Sequence, residues 1–409
     1  MHNVLPAGIA GRKTSNVLAK LWAFWQCLLR EPWKRLVAIG VGAFVLRACF
    51  AFTLEERWYF YDTVHYDAAA RSLLRGEGFR YDRPFFGATA YNLEPLYPLF
   101  LAGNYALFGR HFLAVRLVQA ALGALMCAIT FFLAKELFDL KVATLAAAVC
   151  AIYPHLIFVS SLLYPEQLFT LLLATGMWCA VRYLRTGEGR YVVGMGVLFG
   201  LAALAKGIAL ALLPTFALWL LLLPAFSLRR RFAHVVLLLA AVVFIQLPWG
   251  MRNYRVFGRL APVRAHATMM FDERYAQKDE ALLSQWLHGK VGTGRFLLRY
   301  AEEFAHFWTP TLGRLQSRNQ FTSWWANAMS VLVSGPMLLL ALCGIWCGRR
   351  RLRNLSPLLL VVLTFACAYS FFLTHVRYRL PVEPYLIVVA SSGFWCIRGE
   401  VGGRLARVR

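Results

Sequence analysis

The chain carries ten apolar runs long enough to cross a bilayer, at about 36–54, 113–134, 141–159, 166–184, 190–206, 207–224, 232–249, 326–347, 355–373 and 382–397. Inside a bilayer no water satisfies the peptide groups, so only helices and closed barrels can span it, and runs of this length select helices. The pattern predicts an all-α polytopic membrane protein: a bundle of about 10 transmembrane helices with amphipathic helices on its periplasmic side. Composition agrees, with 59% hydrophobic residues, 16% charged residues and 44 basic against 20 acidic side chains. The basic residues fall in short clusters between apolar runs. That distribution assigns the net charge of +24 to membrane loops and anionic lipid, not to nucleic acid. Roughly 35 residues precede the first run, too long a leader for a cleaved signal, so that run reads as an anchor. Three segments follow: a cytoplasmic stretch 1–35, a membrane domain 36–397 with outer loops at about 55–112 and 250–325, and a basic cytoplasmic tail 398–409. The 9 cysteines lie in or beside apolar runs and form no CxxC pair; they read as small core residues rather than metal ligands or disulfides.

One further apolar stretch, 95–108, is too short to span and contains Pro95, Pro98, Gly103 and Asn104, which suggests an interfacial or re-entrant element. Charge parity gives the same answer. If this stretch does not cross and the N-terminus is cytoplasmic, then Lys34, Arg35, Arg229–Arg231, Arg349–Arg351, Arg353 and the tail with Arg404, Arg407 and Arg409 all fall on the cytoplasmic side. If it crosses, the two arginine loops move outside, against the positive-inside tendency. Ten spans with both termini cytoplasmic therefore fit best. Asp62, Glu166, the loop 250–325 and the loop 374–381 then share the outer face, so the working side is expected outside, in the periplasm of a Gram-negative cell or its equivalent.

Several residues on that face carry candidate chemistry. Asp62 lies just past the first span, in Tyr59-Phe-Tyr-Asp62-Thr-Val-His65-Tyr66-Asp67. Residues 63–75 mix Ala and Leu with Arg at helical spacing before Gly76, which predicts a surface-lying amphipathic helix with Asp62 near its N-cap. Asp62 can serve as that cap, or as a base on a substrate arriving along the bilayer. His65 and Tyr66 are close by along the same helix; an interfacial polar tip suits His65 better than a metal site. Glu166 heads an apolar run after Tyr164-Pro165, where it can offset the helix dipole or act chemically. Lys206 sits between two runs with no acidic neighbour in sequence. Arg252, Asn253 and Tyr254 close one helix, and Arg377, Tyr378 and Arg379 sit between the last two. Arginine's planar fork suits phosphate oxygens, while Arg and Tyr also serve as interfacial anchors. Segment 295–308 is amphipathic and predicts a helix lying on the membrane. Walker A, GxGxxG, HExxH, GxSxG and DxD motifs do not occur, so nucleotide-driven chemistry finds no support.

The ordered set Asp62…Tyr66…Ala70…Gly76-Glu-Gly78, Glu94-Pro-Leu-Tyr-Pro98, Tyr153-Pro154…Glu166, Pro248-Trp…Arg252-Asn253…Gly258 and Arg377-Tyr-Arg-Leu-Pro-Val-Glu-Pro384 resembles bacterial membrane glycosyltransferases of the GT-C fold. More narrowly it resembles the group of protein O-mannosyltransferases and lipid A aminoarabinose transferases, over about residues 36–397. The resemblance implies a GT-C-like bundle, a bacterial inner membrane as its location and a sugar donor on polyprenyl phosphate. Asp62 would be the catalytic acid of the first outer loop and Glu166 a second acid. Donor phosphate would be held by Arg252, Arg377, Arg379 and Lys206, with Tyr66, His65, Asn253 and Tyr378 contacting substrate. The protein mannosyltransferases of this group carry Asp-Glu at the first site; here Thr63 follows Asp62, which puts the division of labour between Asp62 and Glu166 in question. The expected partners are the lipid-linked sugar, an envelope lipid, glycan or protein acceptor, and membrane lipid. No cofactor is demanded; carboxylates on one face permit a divalent metal, but no ligand spacing requires it. A transporter or lipid-linked glycan flippase is the alternative reading, although no inverted repeat is evident. A ligase or polymerase of lipid-linked glycans shares much of the same chemistry.

Overall fold

The computed structural model describes residues 31–59, 61–83, 87–90, 93–258, 282–311, 324–372 and 376–399. Most of the segments 1–35 and 398–409 lies outside these residues. Every apolar run of the sequence corresponds to a helix. The long ones are α1 (Pro32–Phe52), α4 (Phe112–Leu137), α7 (Glu166–Thr186), α10 (Leu228–Phe257), α13 (Trp324–Cys347), α14 (Leu352–Tyr369) and the continuous stretch Arg377–Ile397, which ends in α16 (Glu383–Ile397). These 7 are long and apolar enough to span a membrane by themselves. An eighth span is the bent pair α5 (Leu140–Ile152) and α6 (Pro154–Ser160), which meet at 55°. The two remaining runs of the ten expected form shorter apolar segments: α8 (Gly189–Ala205), and a 3-10 turn Gly207–Ala211 running into α9 (Leu212–Leu222), so that among the described residues 7 spans, or 8 with the bent pair, stand against the ten expected.

Among the described residues four further helices are not counted as spans, α2 (Tyr61–Leu74), α3 (Leu96–Phe108), α11 (Leu282–Leu287) and α12 (Thr293–Phe307), and the single turn α15 (Val376–Arg379) leads into the last span. Helix α3, at 13 residues, extends about 20 Å and is too short to cross. Among the described residues the only strands form a hairpin in which β1 (Arg80–Arg83) pairs antiparallel with β2 (Gly87–Ala90). Gly76 and Gly78 both adopt φ of 74°, left-handed conformations that turn the chain from α2 into that hairpin. Helix α10 runs on to Phe257, so the outer segment expected to begin near 250 starts one helical stretch later.

The bend between α5 and α6 has a local cause. Pro154 cannot donate to the preceding turn, and Tyr153 before it is extended (φ −69°, ψ 115°). The last carbonyls of α5 are thereby left without helical partners. Arg47 of α1 fills the gap: it is only 1% exposed, and its guanidinium donates to Ala151 O at 2.9 Å and Cys150 O at 3.0 Å. A cation at the negative end of a helix is electrostatically favourable, which accounts for an arginine inside the bundle. Gly123 of α4 makes room for it; a Cβ there would lie 2.5 Å from Arg47 Nε.

Helices α13 and α16 approach through Gly344 and Gly393. A Cβ on either would collide with a backbone carbonyl of the other helix, the small-residue contact typical of membrane helices. One turn further, Cys347 and Cys396 form a disulfide with their Cα atoms 6.6 Å apart. This corrects the expectation that no cysteine pairs. The partners are 49 residues apart in sequence, and only the glycine-mediated contact brings them together.

Contacts across the helices define two ends. At one, Arg116 at the start of α4 donates to Leu54 O and Glu55 O after α1, and Gln119 of α4 donates to Ser160 O at the end of α6. At the other, Glu136 of α4 meets Arg182 and Arg185 of α7, Arg230 of α10 donates to Gly187 O, and the disulfide lies next to Arg349–Arg351. The arginine clusters therefore gather at one end and Glu166, Lys206 and Arg377 at the other, the grouping that charge parity anticipates.

Candidate active site

Glu166 opens α7 after a corner, Ser161–Pro165, that is fastened on three sides. Gln119 Nε2 donates to Ser160 O and Leu162 O, and its Oε1 accepts from the Tyr97 hydroxyl of α3 at 2.9 Å. Burial pushes the Tyr97 hydroxyl well above its ordinary pKa and keeps it a donor. Thr63 of α2, 3% exposed, donates to Leu163 O at 3.3 Å. Thr63 thus turns a hydroxyl toward a carbonyl oxygen, a setting that a carboxylate at this position would find repulsive.

Glu166 is 1% exposed, and its Oε1 accepts from Lys206 Nζ at 2.8 Å. Lys206 occupies the break between α8 and the 3-10 turn in extended conformation (φ −150°, ψ 116°). Glu94, just ahead of α3, holds that break by accepting the Gly207 N–H at 3.0 Å. The lysine that had no acidic neighbour in sequence so acquires one from 40 residues away. Arg377 completes the cluster, donating to the Tyr164 hydroxyl at 3.3 Å and the Tyr378 hydroxyl at 3.4 Å. Tyr378 stacks on Tyr369 of α14 with ring centres 4.4 Å apart and planes 3° from parallel, and Lys206 Nζ lies 6.0 Å from the Tyr378 ring centre. Tyr66 packs edge-on against Tyr97 at 5.3 Å and Tyr164 at 6.0 Å. The result is a carboxylate, a lysine and an arginine walled by tyrosines at one end of the bundle. Glu166 Oε2, Arg377 Nε and the Tyr369 hydroxyl are buried and have no hydrogen-bond partner among the described residues.

Asp62 is the second residue of α2, inside its first turn rather than at the cap position, and its side chain lies outside the described residues. Helix α2 is not surface-lying as its pattern suggested: Tyr66, Asp67, Ala69 and Ala70 are buried against α3 and the Glu166 corner. The reason is Asp67, fully buried and bound by Arg110 at 2.9 and 3.0 Å, by Arg71 at 3.2 Å and by the Tyr105 hydroxyl at 2.9 Å. Burial first, then the adjacent Asp67 carboxylate, pushes the Tyr105 hydroxyl up, so it donates at any ordinary pH. His65, partly buried, follows on the same helix. Arg252 lies against Trp249 (4.6 Å to the ring centre) and donates to Phe79 O at 3.0 Å and to Asn253 Oδ1 at 3.0 Å, which latches the chain after α2 onto α10. Asn253 is fully buried. Arg379 does not join Arg377: it is wholly buried, donating to Thr309 O at 2.8 Å and Glu383 Oε1 at 3.4 Å. Glu383 also meets His155 Nδ1 at 3.2 Å, and His155 Nε2 meets Ser330 Oγ at 3.1 Å, a buried network that sequence reasoning missed. Among the described residues no group of three or more His, Cys, Asp or Glu side chains is placed to hold a metal ion.

Asp67, Glu94 and Tyr369 were also missed. The spacing of Asp67 and Arg71 by one helical turn was a readable signal. Nothing in the sequence pointed to Tyr369.

Residues 87–249 match the family model described as dolichyl-phosphate-mannose-protein mannosyltransferase. No curated protein sequence gives a significant match. Among solved structures, ArnT from Cupriavidus metallidurans in the apo state superposes with a TM-score of 0.59 at 16% identity, over 92% of this chain and 60% of that one. The same protein bound to undecaprenyl phosphate gives 0.52 at 18% identity, over 88% and 59%. The Archaeoglobus fulgidus oligosaccharyltransferase tethered with an acceptor peptide gives 0.61 at 15% identity, over 91% and 50%. This protein has the GT-C fold. Its chain spans between half and three fifths of the length of those GT-C relatives, and at these identities the likeness is one of fold. The family match runs from β2 into α10, so it includes Glu94, Glu166 and Lys206 but not Asp62, Arg252 or Arg377.

Proposed function

We propose that this protein transfers a sugar from a polyprenyl-phosphate donor to a cell-envelope lipid, glycan or protein at the periplasmic face of a bacterial inner membrane, with both termini cytoplasmic. The observation that carries this reading is the Glu166–Lys206–Arg377 cluster, walled by tyrosines, at the end of a GT-C bundle opposite the arginine loops. A cationic, aromatic-lined site at the ends of membrane helices suits a lipid phosphate that approaches along the bilayer. The lipid carrier in the ArnT complex and the peptide in the oligosaccharyltransferase complex support the two substrate classes by likeness of fold. The arginine clusters at the far end support the orientation.

The acceptor oxygen attacks the anomeric carbon. The bond from that carbon to the phosphate oxygen breaks, and its electron pair leaves on the polyprenyl phosphate. The acceptor proton passes to Asp62, and a single displacement inverts the anomeric centre. Arg377, whose terminal nitrogens donate to the Tyr164 and Tyr378 hydroxyls while Nε is left without a partner among the described residues, stabilises the developing phosphate charge, and Arg252 contributes from the rim. Lys206 holds one oxygen of Glu166, and Glu166 orients the sugar with the other. Arg379, committed to carbonyls and Glu383, is assigned to holding α15 in place.

Purified protein with a radiolabelled polyprenyl-phosphate sugar and a cell-envelope extract tests the reading. Transfer into an envelope product is expected, reduced about 10²–10⁴-fold by Asp62→Asn with the protein still folded in membranes. Near-normal transfer by that variant rejects Asp62 as the base. Translocation without any transfer rejects the enzyme in favour of a carrier.

A further inference from the structure

We infer that the sugar carried by the donor is uncharged, and that Glu166 and Tyr369 read it through its hydroxyl groups; this rests on the transferase reading above. The argument begins with the polar atoms that have nothing to bind. Glu166 is 1% exposed and Tyr369 5% exposed, and both Glu166 Oε2 and the Tyr369 hydroxyl are buried without a partner among the described residues. Tyr369 stacks on Tyr378 at 4.4 Å, Lys206 Nζ lies 6.0 Å from the Tyr378 ring centre, and Lys206 binds Glu166 at 2.8 Å, so the groups share one region. Buried polar atoms are costly to leave unpaired, and a carboxylate oxygen and a phenol offer an acceptor and a donor to sugar hydroxyls.

The charge of that region decides the class of sugar. Glu166 is not an open anion: Lys206 Nζ sits 2.8 Å from its other oxygen. The ammonium of an amino sugar approaching Oε2 meets Lys206 and Arg377 as well as the carboxylate. It gives up its hydration with no surplus negative charge to offset the loss. A uronate meets the opposite difficulty, since Glu166 and Glu94 stand where its carboxylate would go, while the hydrogen bonds of Lys206 and Arg377 to Glu166 and the tyrosines are already made. A neutral hexose or pentose satisfies Oε2 and the phenol without disturbing the pair.

The test is competition for a fluorescent polyprenyl phosphate bound to the full-length protein in nanodiscs. The competitors are bare polyprenyl phosphate and the same lipid carrying a hexose, a 4-amino-4-deoxypentose or a hexuronate. The hexose is expected to improve competition over the bare lipid about tenfold, the scale of one buried hydrogen bond, and the charged sugars to improve it not at all. Tyr369→Phe keeps the stack on Tyr378, and is expected to erase the hexose advantage while bare-lipid binding stays unchanged. Lys206→Met releases Glu166, and is expected to turn the preference toward the aminopentose. A charged sugar preferred by the unaltered protein, no advantage for the hexose, or a hexose advantage that survives Tyr369→Phe overturns the inference. Failure of the bare lipid to bind at all instead rejects the transferase reading, and the inference with it.

Discussion

The Glu166–Lys206 pair makes a quantitative prediction about stability that is independent of activity. At 2.8 Å and an effective dielectric of about 20, the two charges attract by roughly 6 kcal/mol. Burial offsets most of this, but not equally for the two partners: the Glu166 side chain is 2% exposed and Lys206 19%. Lys206→Met leaves a buried carboxylate with nothing to neutralise it, and should destabilise the protein by about 3 kcal/mol. Glu166→Gln leaves a lysine that still reaches solvent, and should lose only about 1–2 kcal/mol. The double variant removes both charges at once. It should lie closer to the unaltered protein than the sum of the single losses, by a coupling of about 2 kcal/mol. Reversible unfolding in mixed detergent micelles across a denaturant series, on all four proteins, supplies the cycle. Single losses that add to within about 0.5 kcal/mol would refute the pairing as a source of stability, and with it the argument that Lys206 neutralises Glu166.

Other consequences follow from the same geometry. Arg377→Lys keeps the positive charge but loses the fork that spans the Tyr164 and Tyr378 hydroxyls, so donor KM should rise at least about tenfold in steady-state transfer assays. Gly123→Ala drives a methyl group into Arg47 and should cost about 1–3 kcal/mol in the same micelle assay, whereas Gly40→Ala, with open space around it, should cost little. Alkylation of the denatured protein before and after reduction, read by mass spectrometry, should reveal Cys347 and Cys396 as the pair labelled only after reduction.

Much of the architecture was legible because lipid imposes it. A run of about 20 apolar residues has few alternatives to a helix, and the placement of arginines orders those helices without reference to any contact. The same logic grouped Asp62, Glu166, Lys206 and Arg377 at one end of the molecule. Local pattern failed where burial depended on a partner. Residues 63–75 read as a surface helix because their arginines looked solvent-bound, yet Arg71 turns toward Asp67, and Arg110 arrives from the far side of α3. The cysteines read as unpaired because Cys347 and Cys396 share no motif, only a glycine-lined contact between two helices.

The sequence by itself therefore determined the helices and the end of the bundle at which chemistry is proposed. Only the tertiary structure decided which charges face one another there: Lys206 with Glu166 across 40 residues, Glu94 with the Gly207 amide across 113, and Arg377 with Tyr164 across 213. The reason is geometric. Hydropathy specifies that a helix crosses the membrane but not its rotation about its own axis. Rotation is set by close contacts such as Gly344 on Gly393 and by breaks such as Pro154, and it alone decides which side chains meet at the helix ends.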